Sequence, residues 1–268
     1  MTPITPDTEL RLSFENQHAV CFGRYTFDGQ SLQLECNDKE GPNAIHGFVR
    51  SLPWHVREAH PNKVAFEIRL DADTYAERGY AFSLAVGVMY ELGASGLTCT
   101  FIVKSVGQQA APGGVGFHPY FTVGTTLIDE AEAQIPGSGY LEFNERLVLT
   151  GAILNVAGTP WDYRRFREIG HQRFNHCYVQ LERNAQGIAT ASLRHPAGGR
   201  VIDVTMDSAF SAVVVYTGDT IGDAPRTAVA IEPMTCASDA FNHPDWGLKR
   251  LVPGETFSGT YRIQHHAL

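Results

Sequence analysis

No run of apolar residues in this sequence approaches the roughly 20 that a membrane-spanning helix needs, so no membrane span is expected. The N-terminus, MTPITPDTELRLSF, lacks a basic stretch followed by an apolar one, and no secretory signal is expected. Basic residues are in deficit. Lys and Arg number 21 against 29 Asp and Glu, for a formal net charge of -8. That balance argues against a nucleic-acid surface, which needs clustered cations for phosphates. It suits a neutral or cationic small ligand, and it also aids solubility. Cysteine is sparse: five residues, odd in number, widely spaced and without a CxxC. This argues against both a disulfide framework and a zinc knuckle, and reduced thiols in a cytoplasmic protein are the expectation. HExxH, GxSxG and P-loop patterns are missing. Although the stretch GGVG, residues 113–116, has the glycines of a phosphate cradle, no helix pattern follows it. There is no internal repeat, low-complexity linker or composition shift, so one domain is expected over residues 1–268.

What is present is period-two alternation. Val64, Phe66, Ile68 and Leu70 share one face, as do Phe82, Leu84, Val86, Val88 and Tyr90. Leu97, Cys99, Phe101 and Val103 alternate with polar partners except at Ile102, and Phe257, Tyr261 and Ile263 fall on one side. Half-buried strands read this way. Asp28-Gly29 between two alternating runs predicts a hairpin. Only Ile128–Ile135 offers a short helix, and His265-His266 read as a solvated tail. The pattern predicts a large antiparallel all-β domain, a sandwich or barrel.

Three stretches break the strand pattern with polar residues. In GPNAIHGFVR, residues 41–50, glycines and proline mark a loop that holds His46; a plain surface turn explains this segment equally well. In GFHPYF, residues 116–121, Pro119 pushes His118 toward extended backbone between aromatic neighbours. With an ordinary pKa of about 6.5, such a ring can carry a proton near pH 7, or it can be a satisfied core histidine. In VAIEPMTCASDAFN, residues 229–242, Glu232 follows a buried strand and precedes Pro233, which places it at the strand end and aims it away from the sheet. A carboxylate there is costly unless it is paired or used. The segment WDYRRFRE, residues 161–168, reads as charged surface first and binding loop second. A histidine and a glutamate in an all-β chain are suited to general acid–base chemistry without a cofactor.

The stretches NAIHG, GFHPYF and IEPMTCASDAFN, followed by GLKRLVPGETFSGTYRI, resemble the aldose 1-epimerase (galactose mutarotase) family from about Tyr25 to the C-terminus. The resemblance implies a large antiparallel β-sandwich of the supersandwich type. It also implies that Glu232 takes the proton from the anomeric hydroxyl as general base, while His118 protonates the ring oxygen as general acid. No metal or nucleotide is implied. His46 would place the sugar, and Tyr120 or Phe117 could supply an apolar wall. Two positions depart from the family pattern. Asn175, in FNHCYVQL, stands where the family usually has aspartate, and an amide there can still bond a sugar hydroxyl. Ala19 falls where an arginine usually contacts the sugar, with Arg50 or Arg24 as substitutes, and the N-terminal part is shorter than is typical.

The leading expectation is therefore a mutarotase for a free aldose, with Glu232 and His118 catalytic and His46, Asn175, Arg50 and Tyr120 binding sugar. Two alternatives stand beside it. One is a hexose-6-phosphate 1-epimerase, which needs an arginine cluster that only YRRFRE could supply. The other is a non-catalytic sugar-binding relative.

Overall fold

The computed structural model describes residues 20–38, 41–145 and 148–268. Its strands are β1 (Arg24–Phe27), β2 (Gln30–Gln33), β3 (His55–His60), β4 (Lys63–Leu70), β5 (Leu84–Gly93), β6 (Gly96–Ser105), β7 (Ala111–Gly113), β8 (Tyr120–Phe121), β9 (Glu132–Gln134) and β10 (Gly137–Phe143). They continue with β11 (Leu149–Asn155), β12 (Arg167–Glu168), β13 (Asn175–Leu181), β14 (Ala189–His195), β15 (Arg200–Met206), β16 (Ala212–Tyr216), β17 (Val229–Met234), β18 (Lys249–Leu251) and β19 (Thr256–Ala267). Every named pairing is antiparallel.

A nine-stranded sheet runs β12-β9-β14-β15-β19-β6-β5-β4-β3, and a six-stranded sheet runs β11-β10-β13-β16-β17-β8. The two pack face to face. Phe101 and Tyr261 of the large sheet meet Phe117 and Phe210 at ring distances of 4.8–6.3 Å. The alternation of β6 buries Cys99, Phe101 and Val103 in this layer and leaves Ile102 on the outer face. Asp28 and Gly29 both have positive φ, 46° and 79°, as a two-residue hairpin turn between β1 and β2 requires.

Two local expectations are corrected. Ile128–Glu130 is a single 3-10 turn, after which Glu132–Gln134 continues as β9, because the segment's apolar positions serve the sheet. The two terminal histidines are not a tail. They lie in β19, paired along β15, and His266 Nε2 is 2.9 Å from the Asp203 carboxylate.

The six-stranded sheet has two apolar faces, and this positions the site. Tyr178, Val213, Val215, Val229 and Ile231 enter the inter-sheet core. Cys177, Val179, Ala212, Val214 and Met234 form a smaller cluster on the opposite face with Leu141, Leu149 and Ala237. Residues directly opposite in a ladder share a face. Val214 lies opposite both Cys177 and Glu232, so Glu232 belongs to the outer face. One row away, Asn175, Tyr216, Ala230 and Tyr120 are in register across four strands of that same face.

Candidate active site

Glu232 occupies the fourth of six positions in β17 and is fully buried. It is therefore inside the strand, not at its end as the sequence suggests. Pro233 is tolerated because the neighbouring chain, residues 115–119, is irregular and asks only for its carbonyl: Phe117 N–H donates to Pro233 O at 3.1 Å. Ile231 N–H in turn donates to Pro119 O at 3.3 Å. These two bonds flank His118 and hold it beside Glu232. Further back, Val115 and Thr235 exchange two bonds of 2.8 Å, and Gly116 bridges Met234.

His118 Nε2 stands 3.5 Å from Glu232 Oε1, with the His118 side chain 15% exposed. Burial pushes the His118 pKa down to about 4. The ring therefore does not titrate near pH 7 on its own account, contrary to the sequence expectation. Its face stacks on Tyr120 at 4.9 Å, and Tyr120 is 42% exposed. Phe117 instead belongs to the inter-sheet core.

His46 joins the pair. Its ring meets His118 edge-on at 5.9 Å. The backbone of His46-Gly47 has consecutive positive φ, 65° and 55°, a conformation that costs a non-glycine residue and aims the ring away from the ordinary chain path. Arg50, in the 3-10 turn Val49–Ser51, places Nη1 2.7 Å from His46 Nδ1. A guanidinium can only donate. Nδ1 must therefore accept, and the His46 hydrogen sits on Nε2.

Of the residues expected from the sequence, His46, Arg50, His118, Tyr120 and Glu232 are brought together. Asn175 stands on the same sheet face, two strands from Glu232. Arg24 lies in β1 and lines a separate surface hollow with Tyr25, Ser31 and Asn242. Ala19 lies outside the described residues. In WDYRRFRE, Arg164 bonds Asp162 at 2.8 Å and approaches Glu182 at 3.9 Å, while Arg167 donates to Pro160 O.

Two features escaped the sequence reading. His176, the neighbour of Asn175, faces the other way and packs on Trp161 at 3.8 Å. Also, a cleft of about 590 Å³ is lined by Asn175, His176 and Tyr216. The alternation of β13 could have separated Asn175 from His176; nothing local marks the cleft. A second cavity, of only about 100 Å³, lies beneath the His46 loop and is mostly apolar; its charged lining groups, Arg78 and Glu35, bond each other at 3.0 Å.

His176 carries a stability prediction. Burial lowers its pKa to about 4 from an ordinary 6.5. Between those values the unfolded chain binds the proton more readily, so stability falls as pH drops from about 6.5 toward 4, by at most on the order of 3 kcal/mol. Urea unfolding midpoints should decline over that window, and His176→Leu should flatten the decline. An identical pH slope in the variant would refute this assignment.

A family model described as aldose 1-epimerase matches residues 20–264. The chain is 29% identical to the E. coli K12 protein YihR, described as uncharacterized, over 83% of this chain and 68% of that one. It is 29% identical to the galactose mutarotase of Bos taurus, over 90% of this chain and 74% of the relative. A solved structure of a putative aldose 1-epimerase (b2544) from E. coli K12 superimposes with a TM-score of 0.79 at 22% identity, covering 96% of this chain and 82% of that one.

Proposed function

The chain belongs to the aldose 1-epimerase family, and from that premise we propose that it interconverts the α and β anomers of a free aldose at His118 and Glu232. The observation that carries the reading is the 3.5 Å approach of a histidine nitrogen to a buried carboxylate beside an exposed aromatic. Anomerisation conserves protons. One leaves the anomeric hydroxyl and another arrives at the ring oxygen. A pair sharing a single proton is sufficient for this.

Glu232 takes the proton from O1 as general base. The reaction draws on the minor imidazolium form of His118, which the Glu232 carboxylate 3.5 Å away favours over an isolated buried ring; this form gives its proton to the ring oxygen as the C1–O5 bond breaks and the C1–O1 bond gains double-bond character. The products are the open-chain aldehyde, a protonated Glu232 and a neutral His118. Burial favours this outcome, because it penalises the charged ring that existed before transfer. Rotation about C1–C2 presents the other face of the aldehyde. Closure then returns both protons: Glu232 gives its proton to O1, and the O5 hydroxyl gives its own to His118. Fixing both groups relative to one sugar supplies the orientation such a step requires.

His46 Nε2–H serves as a donor to a sugar oxygen, and Arg50 acts through it by holding Nδ1 as acceptor. Arg50→Met keeps the apolar stem and removes the donor. We expect KM for the sugar to rise about tenfold with a smaller change in kcat, in line with the loss of one charge-assisted bond. Long-range proton–nitrogen NMR should show His46 as the Nε2–H form in the wild type and as a mixture in the variant. An unchanged tautomer would remove Arg50 from this role.

A free aldose is favoured over a hexose phosphate because the arginines of residues 161–168 that have partners bond protein groups, Arg164 to Asp162 and Glu182 and Arg167 to Pro160. The test is polarimetry on freshly dissolved α-D-glucose and α-D-galactose, with α/β exchange of glucose 6-phosphate followed by NMR. Acceleration of the free sugars above the buffer rate supports the proposal. Acceleration of the phosphate alone would replace it.

A further inference from the structure

The segment that carries His118 is aligned on β17 by a ladder from which two prolines remove bonds. We infer that Thr235 is a positioning residue for the reaction: its side-chain hydroxyl anchors residues 115–119 and so holds His118 in place beside Glu232. This rests on the anomeric reading above.

Phe121 and Tyr120 lie opposite Val229 and Ala230, and Gly116 bridges Met234, all antiparallel and all in one alignment. That alignment sets His118 directly across from Glu232. Phe117 donates to Pro233 on one side of this position, and Ile231 donates to Pro119 on the other. His118 and Glu232 are therefore a non-hydrogen-bonded pair, the kind whose side chains come closest in an antiparallel ladder. The 3.5 Å approach of the two groups follows from this register. A slip of one residue would turn His118 to the other face.

A regular ladder would place two backbone bonds at each of three positions: Val115 with Thr235, Phe117 with Pro233, and Pro119 with Ile231. Prolines have no N–H, so the last two positions keep one bond each, of 3.1 and 3.3 Å. At the first position Thr235 N–H donates to Val115 O at 2.8 Å. The Thr235 carbonyl, the regular acceptor for the return bond, instead takes the Ser211 hydroxyl at 2.9 Å. Gly247 crowds the same carbonyl, since a Cβ there would stand 2.7 Å from it. Val115 N–H turns to Thr235 Oγ1, at 2.8 Å. Thr235 is 1% exposed and Val115 3%, so solvent does not stand in for that acceptor. Without Oγ1, either the Val115 N–H is left buried and unpaired, or the segment shifts to find another acceptor. Both outcomes loosen the hold on His118.

The test separates the hydroxyl from its shape. Thr235→Val keeps the volume and removes the acceptor, Thr235→Ser keeps the acceptor and removes a methyl, and Thr235→Ala stands in if the valine variant does not fold. Saturation transfer gives kcat and KM for glucose anomer exchange, and proton–nitrogen NMR follows the His118 ring and the exchange of the Val115 amide with solvent. The valine or alanine variant should lose about tenfold or more in kcat, the scale expected when a reacting group is displaced, with KM within about threefold. Its His118 ring signals should shift and its Val115 amide should exchange faster. The serine variant should keep kcat within about threefold and the Val115 amide protected. A valine or alanine variant with wild-type kcat, or a serine variant that loses as much as either, overturns this inference and leaves the anomeric reading standing. A wild type no faster than buffer removes the anomeric reading, and this inference with it.

Discussion

Replacing Glu232 by glutamine should lower kcat for anomer exchange by about 10²- to 10⁴-fold, the usual contribution of a positioned acid–base group. The amide matches the carboxylate in shape, so the interior position in β17 stays filled, and circular dichroism should report a folded protein. What is lost is the ability to accept the O1 proton. KM should change little, because proton acceptance is needed in the transition state and not for binding. A variant with most of its kcat intact would show that the proton leaves by another route.

His118→Asn should produce a loss of similar order. The side chain shortens and no longer offers a titratable nitrogen to the ring oxygen. The stack on Tyr120 also disappears, so KM should rise modestly as well. The informative variant is the double one. Two groups that exchange one proton through the same sugar act as a unit, and their losses should not multiply. Glu232→Gln with His118→Asn should therefore sit within about tenfold of the poorer single variant. Independent, multiplying losses would mean that the 3.5 Å approach is incidental to the chemistry.

Much of the fold is legible in the sequence. Alternation such as that of Leu97, Cys99, Phe101 and Val103 directly reports which side chains enter the inter-sheet core. Asp28-Gly29 signals its hairpin because few other residues accept two consecutive positive φ values. The site is legible only as separate pieces. His118 and Glu232 stand out as polar residues in apolar surroundings, yet their contact depends on backbone bonds between the 115–119 segment and β17 that no local pattern encodes. Pro233 was misleading for a related reason. It reads as a strand terminator, and only an irregular neighbour that needs no donor from it lets the strand continue. The tautomer of His46 hangs on Arg50, four residues on but brought round by a left-handed turn and not by a helix. The pKa of His118 depends on burial from several elements at once. The cleft collects Tyr140, Trp161, Asn175 and Tyr216 from separate segments, so it has no sequence signature.

The central claim is that this chain exchanges anomers through a proton shared by His118 and Glu232. The most direct measurement is saturation transfer between the α and β anomeric signals of glucose at equilibrium near pH 7, with wild type, Glu232→Gln and buffer side by side. The account predicts rapid exchange with the wild type and exchange at or near the buffer rate with the variant. A wild type no faster than buffer, or a variant as fast as the wild type, would contradict it.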